Sequence, residues 1–228
     1  MFDPHIAASI YWRNRDEANA LRMINVVLSN DNPADDKYSL NLRAYIHITA
    51  KRFAAAQADY ERIMKIDPKF APAHGMAAWL LRAQGKFDAS LAEADKAIEI
   101  APAKYFGYFQ KAQTFRDMKR DEDAEASFAK ALALKPDAAG PYMQAAAFKA
   151  AKGELDEAGA IYRKGLYLFS DSAPLHAAMG DLLKKQGQAD AALREYTIAL
   201  DLDPKNTVAL AGLKEIKTNE TLAPKGSS

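Results

Sequence analysis

Four histidines, His5, His47, His74 and His176, are the side chains of this sequence best suited to metal binding or proton transfer. None stands four residues from another, the spacing that would set two imidazoles on one helix face, and they read as structural residues. The absence of cysteine removes thiolate catalysis, cysteine-ligated zinc, iron–sulfur clusters and disulfides together. Acidic runs such as Asp121-Glu122-Asp123 fall where a helix should begin, where they suit the helix dipole and solvent. No glycine-rich phosphate loop, Gly-x-Ser-x-Gly elbow or His-Glu-x-x-His is present, and Asn219-Glu220-Thr221 reads as a coincidental sequon. The residues therefore predict no enzyme, no cofactor and no metal site.

Bulk properties narrow the function further. The 228 residues are enough to bury a core without disulfides, and the 49% hydrophobic and 27% charged fractions are those of a soluble globular chain. Thirty-one basic and thirty acidic residues leave a net charge of +1, which lacks the positive field that nucleic-acid binding needs. No apolar run approaches the roughly 18 residues of a membrane span. The N-terminus lacks a secretory signal pattern, which leaves the compartment open between the cytoplasm and, if a leader has been removed, the periplasm.

The elements that must position any site are helices. Alanine occurs 47 times, large residues recur on a helical period as in Leu193, Tyr196 and Leu200, and alternating β-branched runs are scarce. Ile66-Asp67-Pro68, Ile100-Ala101-Pro102, Leu134-Lys135-Pro136 and Leu202-Asp203-Pro204 are spaced by 34, 34 and 68 residues, with Ser170 at the missing proline. Proline cannot continue a helix and biases the residue before it away from helical angles, so these tripeptides mark helix ends at a fixed interval. Five units follow, 37–70, 71–104, 105–138, 139–172 and 173–206. Their eighth places hold Ala44, Ala78, Ala112, Ala146 and Gly180, joined by Ala8 from a divergent hairpin in residues 1–36. The twentieth places are Ala20, Ala56, Ser90, Ala124, Ala158 and Ala192, and the twenty-fourth are mostly aromatic: Tyr60, Phe128, Tyr162 and Tyr196. Small residues let two helix backbones approach, and an aromatic one turn further on fills the space beside them.

Period, columns and terminal prolines together resemble the tetratricopeptide repeat. The resemblance implies an all-α, right-handed superhelical solenoid of about six hairpins in one continuous domain, closed by a capping helix at 207–217 and followed by a tail at 218–228. Departures are Arg43, Lys111 and Lys149 at usually apolar places, and Lys51 and Lys119 where a turn glycine is usual. In this family the second, fifth, ninth and twelfth places of each first helix line a concave groove. Here they supply Tyr38, Asn41, Tyr45, Ile48, Pro72, Gly75, Trp79, Arg82, Phe106, Phe109, Gln113, Arg116 and Met143. Aromatics and arginine are the types enriched at interaction hot spots. The expected function is a protein-interaction scaffold that holds a partner peptide or helix, apolar or aromatic with possible acidic residues, in this groove. The lysine and asparagine set with which some relatives grip a chaperone's terminal carboxylate is missing, since Met76, Gln110 and Phe106 hold places it would need. Alternatives are a self-assembling scaffold, for which a homo-oligomer is possible, an assembly factor of a bacterial envelope complex and, least favoured, an accessory domain of an enzyme.

Overall fold

The computed structural model describes residues 4–13, 16–29 and 33–222, and every regular element among them is an α-helix. In order these are α1 (Pro4–Arg13), α2 (Glu17–Leu28), α3 (Pro33–Thr49), α4 (Phe53–Ile66), α5 (Ala71–Ala83), α6 (Phe87–Ile100) and α7 (Tyr105–Asp117). There follow α8 (Asp121–Ala133), α9 (Ala139–Ala151), α10 (Leu155–Leu168), α11 (Ala173–Lys185), α12 (Ala189–Leu202) and α13 (Thr207–Leu222). The all-α helical-repeat class expected from the sequence is the one observed. Consecutive helices pair as hairpins and form two compact units, Met1–Leu134 with α1 to α8 and Lys135–Ser228 with α9 to α13. No described helix is long and apolar enough to cross a membrane.

The hairpins close on the small-residue columns. In the first unit Ala8, Ala44, Ala78 and Ala112 and their partners Ala20, Ala56, Ser90 and Ala124 are all buried. Ser90 satisfies its hydroxyl inside this contact by donating to the Ala78 carbonyl at 2.7 Å while meeting Thr114 Oγ1 at 2.8 Å. In the second unit Gly180 lies so close to Tyr196 that an added Cβ would stand 2.6 Å from the ring, and Gly212 on α13 meets the other side of the same ring even more closely. Tyr196 is completely buried between them, and its hydroxyl donates to Asp181 Oδ1 at 2.5 Å.

Among the described residues, the tight turns of five hairpins are built in one way. After α3, α5, α7, α9 and α11 a left-handed residue follows the helix: Lys51 (φ 58°), Gly85 (φ 74°), Lys119 (φ 60°), Gly153 (φ 84°) and Gly187 (φ 75°). Paired amide bonds close each helix end, as in Lys51 N–H to Ile48 O and Arg52 N–H to His47 O. Such caps favour glycine because it carries no Cβ. The two lysines that depart from the pattern thus adopt the glycine conformation and bear the strain that their Cβ atoms add to it. The charged residues at apolar places find partners: Arg43 grips buried Asp59 through Nη2–Oδ1 at 2.5 Å and Nε–Oδ2 at 3.0 Å, Lys111 meets Asp95 at 2.8 Å, and Lys149 meets Glu154 at 2.6 Å.

Asn206 caps α13, accepting from Ala209 N–H at 3.0 Å. The helix runs to Leu222, past residue 217 where the sequence reading ended it, because Asn219 to Leu222 are all compatible with a helix and the first breaker is Pro224. Residues 223–228 of the expected tail lie outside the described residues. Docked on Tyr196 as another hairpin's first helix would be, α13 carries exposed Lys214 at the eighth place, where every hairpin has alanine or glycine.

Replacing Lys119 with glycine should relieve the left-handed strain and stabilise the first unit by about 1 kcal/mol, read as a higher melting temperature. Gly212→Ala should do the opposite, costing about 1–3 kcal/mol through overlap with Tyr196. A gain for Gly212→Ala would contradict the close docking of α13.

Candidate functional site

The first helices of the first unit carry most of the expected groove residues, and α5 touches both α3 and α7 directly. Tyr45 on α3 and Trp79 on α5 both occupy ninth places, and their ring centroids lie 5.1 Å apart. Trp12 on α1 extends this contact, edge-on to Tyr45 at 5.8 Å. The three rings thus form a ladder across three successive first helices. Tyr45 remains 38% exposed, though its burial is enough to push the phenol's pKa up. Beneath Trp79 the cluster of Ala44, Ile48, Ala56 and Leu80, with Phe53 and Met76 against it, seats the ring. Ile48, one of the expected groove residues, is buried in that cluster.

The other candidates separate by what they touch. Tyr38 is 53% exposed and turns its ring to Phe70, edge-on at 5.1 Å, with Lys37 over both rings and paired to Asp67 at 2.9 Å. Phe106 packs on Gly75, where an added Cβ would stand 3.0 Å from the Phe106 ring, so this ring works mainly as a spacer between α5 and α7. Phe109 turns toward Phe128 of its own hairpin at 6.3 Å and is half-buried. Asn41 is half-buried and its Oδ1 has no hydrogen-bond partner. Met143 lies on α9 in the second unit, packed against that unit's core.

Asp117 was not among the sequence candidates, yet it governs the two arginines. Arg82 Nη1 donates to Asp117 Oδ2 at 2.7 Å, and Arg116 donates to Oδ1 through Nε at 3.1 Å and Nη2 at 2.9 Å. Burial alone would raise the Asp117 pKa, but the bonds and charges of Arg82 and Arg116 hold it below the ordinary carboxylate value. Much of the pull that these arginines could exert on an acidic partner is therefore spent inside the chain. Thirteenth place was outside the stripe read from the sequence; Trp12 stands at the twelfth place of the N-terminal hairpin and could have been found by extending the stripe to it.

The histidines tie helices together. His74 Nδ1 meets Glu93 Oε2 at 2.7 Å and Nε2 meets the Pro68 carbonyl at 3.0 Å, while His176 repeats both contacts with Glu195 and Ser170 at 2.7 and 3.0 Å. His47 accepts from Arg52 Nε at 3.0 Å through Nδ1. The side chain of His5 lies outside the described residues.

A family model described as tetratricopeptide repeat matches residues 47–111, and a second of the same description matches 107–138 and 173–206, together more than half of the chain. The Hsp70-Hsp90 organizing protein of Triticum aestivum is 32% identical over 114 residues, which cover 50% of this chain and 19% of that protein. The chain thus spans about a fifth of the length of that relative. Among solved structures, a tetratricopeptide repeat protein from Parabacteroides merdae superposes with a TM-score of 0.70 at 17% identity, covering 94% of this chain and 83% of that one. PilW, a type IV pilus biogenesis factor, gives 0.65 at 22% identity and covers 92% and 96%. At these identities the structural likeness concerns the fold.

Because the folded-state pKa of Asp117 is depressed, its contribution to stability is present above the ordinary value of 3.8 and is lost as pH falls through the folded value. Asp117→Asn should lower stability at pH 7 and reduce the further loss between pH 7 and pH 3, measured by urea unfolding. Equal pH dependence in both proteins would remove Asp117 from this role.

Proposed function

Because this chain belongs to the tetratricopeptide repeat family, a family of protein-interaction scaffolds, we propose that its first unit holds a segment of a partner protein against the wall formed by Trp12, Tyr45 and Trp79. The observation that carries this reading is the ring ladder: three large aromatics meet one another across α1, α3 and α5 while Tyr45 keeps more than a third of its surface open. Rings fixed by their neighbours lose little freedom when a partner covers them, so their apolar area converts efficiently into affinity. Tyr38, more than half exposed, extends the same wall toward the start of α3.

Apolar contact dominates this proposal. The internal pairing of Arg82 and Arg116 with Asp117 weakens an acidic preference in the partner. The wheat relative's name links that protein to Hsp70 and Hsp90, but the groove positions of this chain lack the lysine and asparagine set of the carboxylate clamp, so that role is not carried over. The likeness to PilW at 22% identity supports the fold and not a pilus role.

The reading is tested by capture from cells of the source organism with wild type and the Tyr45→Ala/Trp79→Ala double variant. Each ring should act as a hot spot worth about 2 kcal/mol, so the double variant should lose its partner while circular dichroism stays unchanged. Equal recovery of the same proteins by both would overturn the groove. Sedimentation should also give a mass independent of concentration; a mass that rises with concentration and falls back in the double variant would make the occupant a second copy.

A further inference from the structure

Hairpins are joined to one another behind their second helices, and four of these joints are alike. After α4, α6, α10 and α12 the chain turns extended at Asp67 (φ −148°), Ala101 (φ −136°), Phe169 (φ −135°) and Asp203 (φ −141°). Two amide bonds close each of them. In the first, Asp67 N–H donates to Ile63 O at 2.8 Å and Phe70 N–H to Asp67 O at 3.1 Å; Ala101 with Lys104, Phe169 with Ser172 and Asp203 with Asn206 repeat the pair. The joint after α8 departs from this pattern. There the helix stops at Ala133, one residue short of its counterparts, and Lys135 is left-handed with φ 51°. Among the described residues, neither Lys135 N–H nor Ala138 N–H has the backbone acceptor that its counterparts have.

Left-handed residues also follow the first helices, but there the next residue closes the helix end, as Arg52 N–H does by donating to His47 O at 2.8 Å after Lys51. The residue after Lys135 is Pro136, which has no N–H to donate. Lys135 therefore bears the left-handed strain of a side chain without the bond that offsets it at those turns, and a residue before proline is drawn to extended angles. Asp67 and Asp203 brace their extended joints with a carboxylate that accepts from Lys69 N–H and Lys205 N–H, each at 3.0 Å; a lysine has no such acceptor. The division of the chain into two compact units falls at this same place, between Leu134 and Lys135.

From these observations, which stand apart from the groove reading, we infer that the α8–α9 joint is a hinge with two states. In one, Lys135 is left-handed as described; in the other it is extended, its N–H donating to Ala131 O and its carbonyl accepting from Ala138 N–H, as the matching groups do at the four regular joints. The left-handed state is strained and short of bonds, and the extended state regains the bonds without the aspartate brace, so neither fixes the joint. Hinge motions place such changes in a few residues at the end of an element. Here the change is confined to the torsions about one residue, yet it re-aims every helix from α9 onward.

The chain has no cysteine, so Glu99→Cys on α6 and Lys164→Cys on α10, both at exposed positions, put one spin label in each unit of the full chain. Dipolar spectroscopy should resolve two label separations while Lys135 is present. Lys135→Gly accepts left-handed angles freely and Lys135→Val resists them, so the two substitutions should move the ratio of the separations in opposite directions, each by about fivefold or more. A single separation in the chain with Lys135, or a ratio that neither substitution moves, overturns the hinge. Should Lys135→Val melt early, amide exchange of the unlabelled chain gives an independent reading. Lys135 and Ala138 N–H should exchange at least about tenfold faster than the N–H groups of Asp67, Phe70, Asp203 and Asn206, and equal protection at all six overturns the inference.

Discussion

Close approach of paired helix backbones is the constraint on which the rest of this structure depends. At the eighth and twentieth places only hydrogen, methyl or a hydrogen-bonded hydroxymethyl group fits, and all of these positions are buried. With the contact line occupied by such small groups, the bulk needed to fill each hairpin comes from one turn away, where Tyr60, Phe128, Tyr162 and Tyr196 stand. Packing at this density leaves little latitude, since a single methyl on Gly180 would enter the Tyr196 ring.

The same constraint explains why large rings gather on the first helices. One side of each first helix is committed to its small-residue contact and another to the neighbouring hairpin. Large aromatics at the ninth places of α3 and α5 lean on one another and on the ring of Trp12, and Trp79 also rests on Ala44, Ile48, Ala56 and Leu80. Where the following helix has Gln113 instead of an aromatic at that place, the ring contacts stop, and Arg82, one turn beyond Trp79, pairs with Asp117.

Most of the fold was legible because it is written in steric columns. Prolines at a 34-residue interval placed the helix ends, and the chain also ends a helix at Leu168, where Ser170 stands in for the proline. The turns were legible even at Lys51 and Lys119, because position in the repeat, not residue type, dictates their left-handed backbone. Side-chain pairing was much less legible. Phe109 could have faced the groove or Phe128, and helical spacing does not distinguish these outcomes. The grip of Asp117 on Arg82 depends on the separation of α5 and α7, set by Phe106 against Gly75, which no one-dimensional pattern records. The extra turn of α13 escaped because a missing breaker is a weaker signal than a present one.

Lys214 gives α13 a different character from the six first helices before it. Wherever a second helix folds back, the position it must reach is alanine or glycine; on α13 a long, hydrated cation projects from that place. A helix folding back on that place would have to strip water from the ammonium and make room for four methylenes. Extending the array by design would therefore begin with a small residue in place of Lys214.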